Sequence, residues 1–172
     1  MLIYTVGHST RPAADFLALL TGHEVRQLAD IRTVPRSKRH PQFAKEALEA
    51  FLAKNGITYR HFPELGGLRK PRADSVNTAW RHPGFRGYAD YMQTEAFRHA
   101  VEALEAFAEP AKTAVMCAEA VWWRCHRRLL ADALYVRGVE VRHIVSTAPP
   151  KPHALSEFAR ESEGWVIYPG LL

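Results

Sequence analysis

Residues 113–145 read TAVMCAEAVWWRCHRRLLADALYVRGVEVRHIV, and this stretch decides the fold class. Thr113 to Met116 is a short apolar run with the composition of a buried strand, and it delivers Cys117. From Cys125 to Arg137 the apolar residues Leu129, Leu130, Ala133 and Leu134 recur at helical spacing, and Gly138 follows as a stop. Val139 to Val145 is a second apolar run. Strand, crossover helix and strand in this order make a βαβ unit, whose strands lie parallel because the helix carries the chain back to the same end.

Outward from that unit, the same alternation continues. Leu2 to Val6 reads as a first strand ending in Gly7-His8-Ser9-Thr10, with Ser9 or Thr10 as a cap and Pro12 in the first turn of the helix that follows. That helix carries Phe16, Leu17, Leu19 and Leu20 and stops near Gly22. Val25 to Ile31 is a second strand, Phe43 to Lys54 a second helix ended by Asn55-Gly56, and Ile57 to Phe62 a third strand. The polar segment from Leu68 to Gly87 is too long for a plain connection and is expected to be a lid or an excursion with a short helix. Tyr88 to Met92 and Ala96 to Ala108 are helical in pattern. After a Pro-rich joint, Ala154 to Arg160 is expected as a short helix and Trp165 to Tyr168 as an edge strand. The expectation is an α/β fold: a three-layer open, mainly parallel sheet of about five strands with helices on both faces, plus a short C-terminal appendage. Residues 1–147 form the α/β domain, and 148–172 a joint and tail packed on it.

The 172 residues include no apolar run of about 18, which argues against a membrane-spanning helix. The start MLIYTVGHST has neither the basic beginning nor the small-residue cleavage site of a secretion signal. Both cysteines lie eight residues apart, so free thiols in a reducing cytoplasm are expected rather than a disulfide framework. The formal net charge of +5 favours an anionic partner, either a small anionic ligand or nucleic acid, and equally suits plain solubility.

In an open α/β sheet, ligands bind beyond the carboxyl ends of the strands. The residues there are His8 and Ser9 after the first strand, Asp30, Arg32, Arg36 and Ser37 after the second, and Glu64, Gly66 and Gly67 after the third. Cys117, Glu119, Cys125, His126 and Arg127 follow the fourth. Four polar loops on one sheet edge define a candidate pocket. Cys117, in a cationic turn before a helix, is the candidate nucleophile or redox thiol, with small-residue packing as the alternative. His8 or His126 would serve as base, Glu119 as acid/base or orienter, and Asp30 as a further catalytic carboxylate. Ser9, Arg32, Arg36, Ser37, Glu64, Gly66, Gly67 and Arg127 are the candidate ligand- and anion-binding residues, with Arg32 free to pair with Glu119 or Glu64. A metal is not expected, because the second ligand pair of a structural zinc site is missing. Were one held, its ligands would be Cys117, Cys125 and His126.

Six ordered blocks carry a resemblance: Tyr4-Thr5-Val6-Gly7-His8-Ser9; Asp30-Ile31-Arg32 through Pro35-Arg36-Ser37 with Gln42-Phe43; His61-Phe62-Pro63-Glu64-Leu65-Gly66-Gly67; Tyr88 to Met92; Met116-Cys117-Ala118-Glu119; and Cys125-His126-Arg127-Arg128. They are similar to the DUF488 family, and His153 to Ala159 with Tyr168-Pro169 resemble the end of its longer members. The resemblance implies no specific reaction and no cofactor, since that family is defined without an assigned function. It implies that the residues named above form its signature. Similar proteins usually read Lys-Asp-Pro where this chain has Ala120-Val121-Trp122, which removes an acid and leaves an apolar surface. The expectation for function is an enzyme-like pocket for a small anionic or nucleotide-like ligand, using a cysteine. The alternatives are a nucleic-acid-binding module without catalysis, a metal-binding domain, and a protein-interaction or homo-oligomeric domain using Trp122 and Trp123.

Overall fold

Strands and helices alternate along the chain as β1 (Leu2–Gly7), α1 (Ala13–Gly22), β2 (Gln27–Asp30), α2 (Lys45–Lys54), β3 (Thr58–His61), α3 (Pro83–Tyr91), α4 (Glu95–Ala108), β4 (Thr113–Cys117), α5 (Arg127–Val136) and β5 (Glu140–Ile144). Three short strands follow, β6 (Lys151–Pro152), β7 (Arg160–Ser162) and β8 (Trp165–Ile167). The computed structural model describes residues 1–171, so Leu172 of the expected tail lies outside the described residues. The molecule is α/β. Its main sheet has six strands in the order β3-β2-β4-β1-β5-β6, with the first five parallel and β6 antiparallel to β5. No helix among the described residues is long and apolar enough to cross a membrane.

The period-two alternation of each strand sorts its side chains to two cores. Tyr4, Val6, Leu28, Ala114, Met116 and Ile144 face α1 and α2, meeting Phe16, Leu20, Leu48 and Leu52. Ile3, Ala29, Ile31, Val115 and Val141 face α3, α4, α5 and the tail, meeting Tyr88, Leu104, Leu130 and Tyr168. The chain moves outward from β1 to β3 along one face, then returns along the other face to insert β4 between β2 and β1. This reversal leaves the carboxyl ends of β2, β4 and β1 side by side, with their following loops on opposite faces.

Four expectations are corrected. The segment expected as a helix, Ala154 to Arg160, contains no helical residue. Ser156 instead gives its backbone N–H and its hydroxyl to the two oxygens of buried Asp132, at 3.0 and 2.7 Å, and such bonds compete with a helical turn. Trp165–Ile167 is not an edge of the main sheet, because it pairs with Arg160–Ser162 in a separate antiparallel hairpin packed on α5. Helix α1 takes no side-chain cap from Ser9 or Thr10: Pro12 stands at its N-cap, and Ser9 adopts a left-handed φ of 51°. Arg32 pairs with neither Glu119 nor Glu64; Asp30, two residues away, holds it in a buried ion pair at 2.6 Å.

The long polar segment resolves into an irregular excursion followed by α3. It is tethered by buried Asp90, which accepts the Arg72 backbone N–H at 2.7 Å, the Ser75 hydroxyl at 2.5 Å and the Asn77 amide at 2.8 Å. Three bonds to one carboxylate replace the regular ladder this stretch lacks.

Candidate functional site

Pairing continues past the ends of the strands. Gly7 is in register with Cys117 and Asp30 with Met116, and then His8 N–H donates to the Cys117 carbonyl, Ser9 N–H to that of Ala118 and Ile31 N–H to that of Met116, each at 3.0 Å. The loops after β1, β2 and β4 therefore leave the sheet together. Gly7 is required for this: a Cβ there would collide with the Glu119 carbonyl and the Arg127 guanidinium. Above them opens a cleft of about 980 Å³, within the range of small-molecule sites.

The floor of the cleft holds Cys117, Cys125 and His126, whose sulfur and ring-nitrogen atoms all lie within 4.8 Å of one another. Strand β4 ends at Cys117, while Cys125 and His126 stand at the start of α5, so the loop between them closes a ring of side chains. His126 Nε2–H donates to the Ile31 carbonyl at 3.2 Å, which turns Nδ1 toward Cys125 Sγ at 3.5 Å. Cys125 Sγ accepts the Arg127 backbone N–H at 3.5 Å. The hydrogen bond with Cys117 pulls the Cys125 thiol down from its ordinary range against the effect of burial, and the Arg127 charge pulls in the same direction. The same hydrogen bond, reinforced by burial, pushes Cys117 up.

Beside this floor lies a second cluster. Asp30 is fully buried and takes Arg32 in a fork, from Nε at 2.9 Å and Nη2 at 2.6 Å, while also accepting the Arg32 backbone N–H at 3.1 Å and the Tyr59 hydroxyl at 2.6 Å. These four bonds occupy the carboxylate, which does not line the cleft. Arg32 keeps Nη1 free to donate to His8 Nε2 at 3.4 Å, and His8 Nδ1–H donates to the Ser9 carbonyl at 2.8 Å. Burial, assisted by the Arg32 charge, lowers the His8 pKa to about 4, which matches a neutral ring with its lone pair turned to Arg32. Phe43 stacks on the His8 ring with the centroids 4.2 Å apart.

The remaining expected residues divide. Ser9, Arg36, Ser37, Gly67 and Glu119 line the cleft with His8, Arg32, Cys117, Cys125 and His126. Glu119 has an exposed side chain at the rim. Arg127 is 1% exposed, absent from the lining, and donates through Nη2 to the Glu119 carbonyl, so it holds the loop from beneath. Glu64 is exposed and off the cleft, with its carbonyl bonded to Arg69 Nη2 at 3.1 Å. Gly66 is buried against Thr33. Trp123 lines the cleft and is 47% exposed, whereas Trp122 turns inward and stacks on His143 at 3.9 Å with the rings 1° from parallel.

Sequence reasoning missed Arg124, His40 and His82 on the cleft wall, Tyr59 behind it, and a buried chain of polar groups beneath Trp122. In that chain the Thr5 hydroxyl meets His143 Nδ1 at 2.7 Å, His143 Nε2 meets His153 Nδ1 at 3.0 Å, and His153 Nε2 meets Asp132 Oδ1 at 2.8 Å. Alternation on β3 was a signal for Tyr59, since an inward aromatic with a hydroxyl needs a buried acceptor. The distant pairing of Asp132 with His153 had none.

Among curated proteins and among solved structures, none matches this chain. The family described as "Domain of unknown function DUF488" matches residues 12–134, a span that holds Arg32, Arg36, Gly67 and the whole Cys117–His126 floor, while His8, Ser9 and the tail lie outside it. With most of its length matched, including three of the four loops that meet at the cleft, the chain belongs to the DUF488 family.

Proposed function

We propose that the cleft is an enzyme-like pocket for a small anionic or nucleotide-like ligand, with sulfur chemistry at its floor. The observation that carries this reading is the joining of a cationic wall to a floor of two thiols and an imidazole. Arg32, Arg36 and Arg124 line the cleft against one carboxylate, Glu119, so the enclosed field attracts anions. Arg32 is clamped by Asp30 and contributes its charge from a fixed position, while Arg36 and Arg124 are exposed and able to fork around a phosphate or carboxylate. Trp123 and Phe85 on the same wall offer apolar surface to a ring.

The test is calorimetric titration of the full chain with inorganic phosphate and a nucleoside monophosphate. Arg36→Ala and Arg124→Ala are each expected to weaken binding roughly tenfold, the scale of one lost charge-assisted hydrogen bond. Bound ligand is expected to slow alkylation of Cys125 by iodoacetamide. An affinity unchanged in the double variant, or alkylation indifferent to ligand, overturns the reading.

A further inference from the structure

We propose that Cys117, Cys125 and His126 bind one zinc ion, with the fourth coordination position open to the cleft. A tetrahedral zinc with sulfur at about 2.3 Å and nitrogen at about 2.0–2.1 Å sets its ligand atoms roughly 3.5 Å apart. Cys125 Sγ and His126 Nδ1 already stand 3.5 Å apart, and all three ligand atoms fall within 4.8 Å. The three side chains line the same cleft, so the ion they hold faces the bound ligand and not the core.

Independent features favour coordination over simple proximity. Metal-binding histidines fix their ring by donating the other nitrogen to a carbonyl or carboxylate, and His126 Nε2–H meets the Ile31 carbonyl at 3.2 Å, leaving Nδ1 for the metal. Gly67 keeps that nitrogen uncovered: a Cβ there would lie 2.6 Å from Nδ1. Cys125 Sγ accepts a backbone N–H from Arg127, the bond that steadies a ligating thiolate. Two thiolates and an imidazole are a soft donor set that excludes magnesium and calcium and suits zinc. Three protein ligands with one open position is the arrangement of catalytic zinc sites, which explains why the paired spacing of a structural site is missing from the sequence.

Charge completes the argument. Arg127 is 1% exposed, and among the described residues its guanidinium donates only to the Glu119 carbonyl and its Nε has no partner. A buried cation without a carboxylate needs negative charge nearby. Two thiolates cancel the charge of zinc, and an anion in the fourth position makes the cluster net negative beside Arg127. The assignment of the fourth position rests on the anion reading above; the three-ligand site does not.

The experiment uses the full chain, freed of metal by a chelator and titrated with cobalt(II) and zinc. The expected result is one cobalt per chain, with thiolate-to-cobalt charge-transfer bands and the intense visible bands of tetrahedral coordination, bleached by one equivalent of zinc. Zinc is expected to protect both thiols from iodoacetamide. Cys117→Ser and Cys125→Ser are each expected to cut zinc affinity by more than about 100-fold, beyond the roughly 10–100-fold loss typical of an outer-shell partner. Cobalt binding without sulfur charge-transfer bands, or thiols alkylated equally fast with and without zinc, overturns the proposal in the wild-type chain, whatever the variants do. Phosphate affinity measured in the same metal-free and zinc-loaded samples separates the two readings. Phosphate binding without the cobalt bands sinks the metal site alone, and cobalt bands without phosphate binding sink the anion pocket alone.

Discussion

Gly67 touches the ring of His126 so closely that the identity of one small residue sets the position of one large one. A Cβ at Gly67 would meet Nδ1 at 2.6 Å and Cγ at 2.9 Å, so Gly67→Ala must push the imidazole from its bond to Ile31. A loss of about 1–3 kcal/mol in urea unfolding is expected, the usual cost of overpacking. Gly22 supplies the contrast: apart from its chain neighbours and its own helix backbone, no atom of the described residues lies within 4 Å of a Cβ built there, at the end of α1. Gly22→Ala is expected to be neutral or to stabilise by up to about 1 kcal/mol. Equal effects at the two positions would refute the packing argument. The sequence offered Gly67 as a ligand-binding residue, and its contact with the His126 ring was not legible there, because residues 67 and 126 meet only through the fold.

At the level of elements, β1, β5, α5 and the tail are tied by the buried line Thr5, His143, His153 and Asp132. Asp132 also receives the Ser156 and Tyr168 hydroxyls, at 2.7 and 2.8 Å. With His143 neutral, the hydrogen bonds can run in one direction: the Thr5 hydroxyl donates to His143, His143 to His153, and His153 to the carboxylate. Burial, reinforced by the Arg127 charge, lowers the His143 pKa to about 3. Its unfolded value of 6.5 is higher, so between about 3 and 6.5 the unfolded chain binds more protons than the folded one. Stability is therefore expected to fall as pH drops through that window, at up to about 1.4 kcal/mol per pH unit for this one group. Thermal unfolding from pH 7 to pH 5 measures it. His143→Gln is expected to lower stability at pH 7 and to reduce the slope, and an unchanged slope would assign the pH dependence elsewhere. Trp122 belongs to this unit as a cover on His143, so the apolar run Ala120-Val121-Trp122 serves partly as packing. Only Trp123 of the tryptophan pair keeps a large exposed face.

For the molecule as a whole, the net charge of +5 acts over a distance, whereas the fork of Asp30 and Arg32 acts at contact. Phosphate binding to the cleft is expected to weaken steadily as sodium chloride rises, because exposed Arg36 and Arg124 are screened within roughly 10 Å at 0.1 M salt. An affinity flat in salt would place the ligand away from these arginines. The sequence by itself determined the alternation of strands and helices, hence the parallel sheet, because periodicity is local and each element carries its own pattern of burial. It also placed polar residues at the strand ends, since βα loops follow directly from that alternation. Only the tertiary structure decided the order β3-β2-β4-β1-β5-β6, which sets His8, Arg32 and Cys117 side by side. It alone buried Arg127 beneath the loop, spent Asp30 on Arg32 and Tyr59, and unwound the expected helix at Ala154 onto Asp132. These outcomes depend on which polar group finds which partner once water is excluded, and that pairing is a property of packed neighbours far apart in the chain.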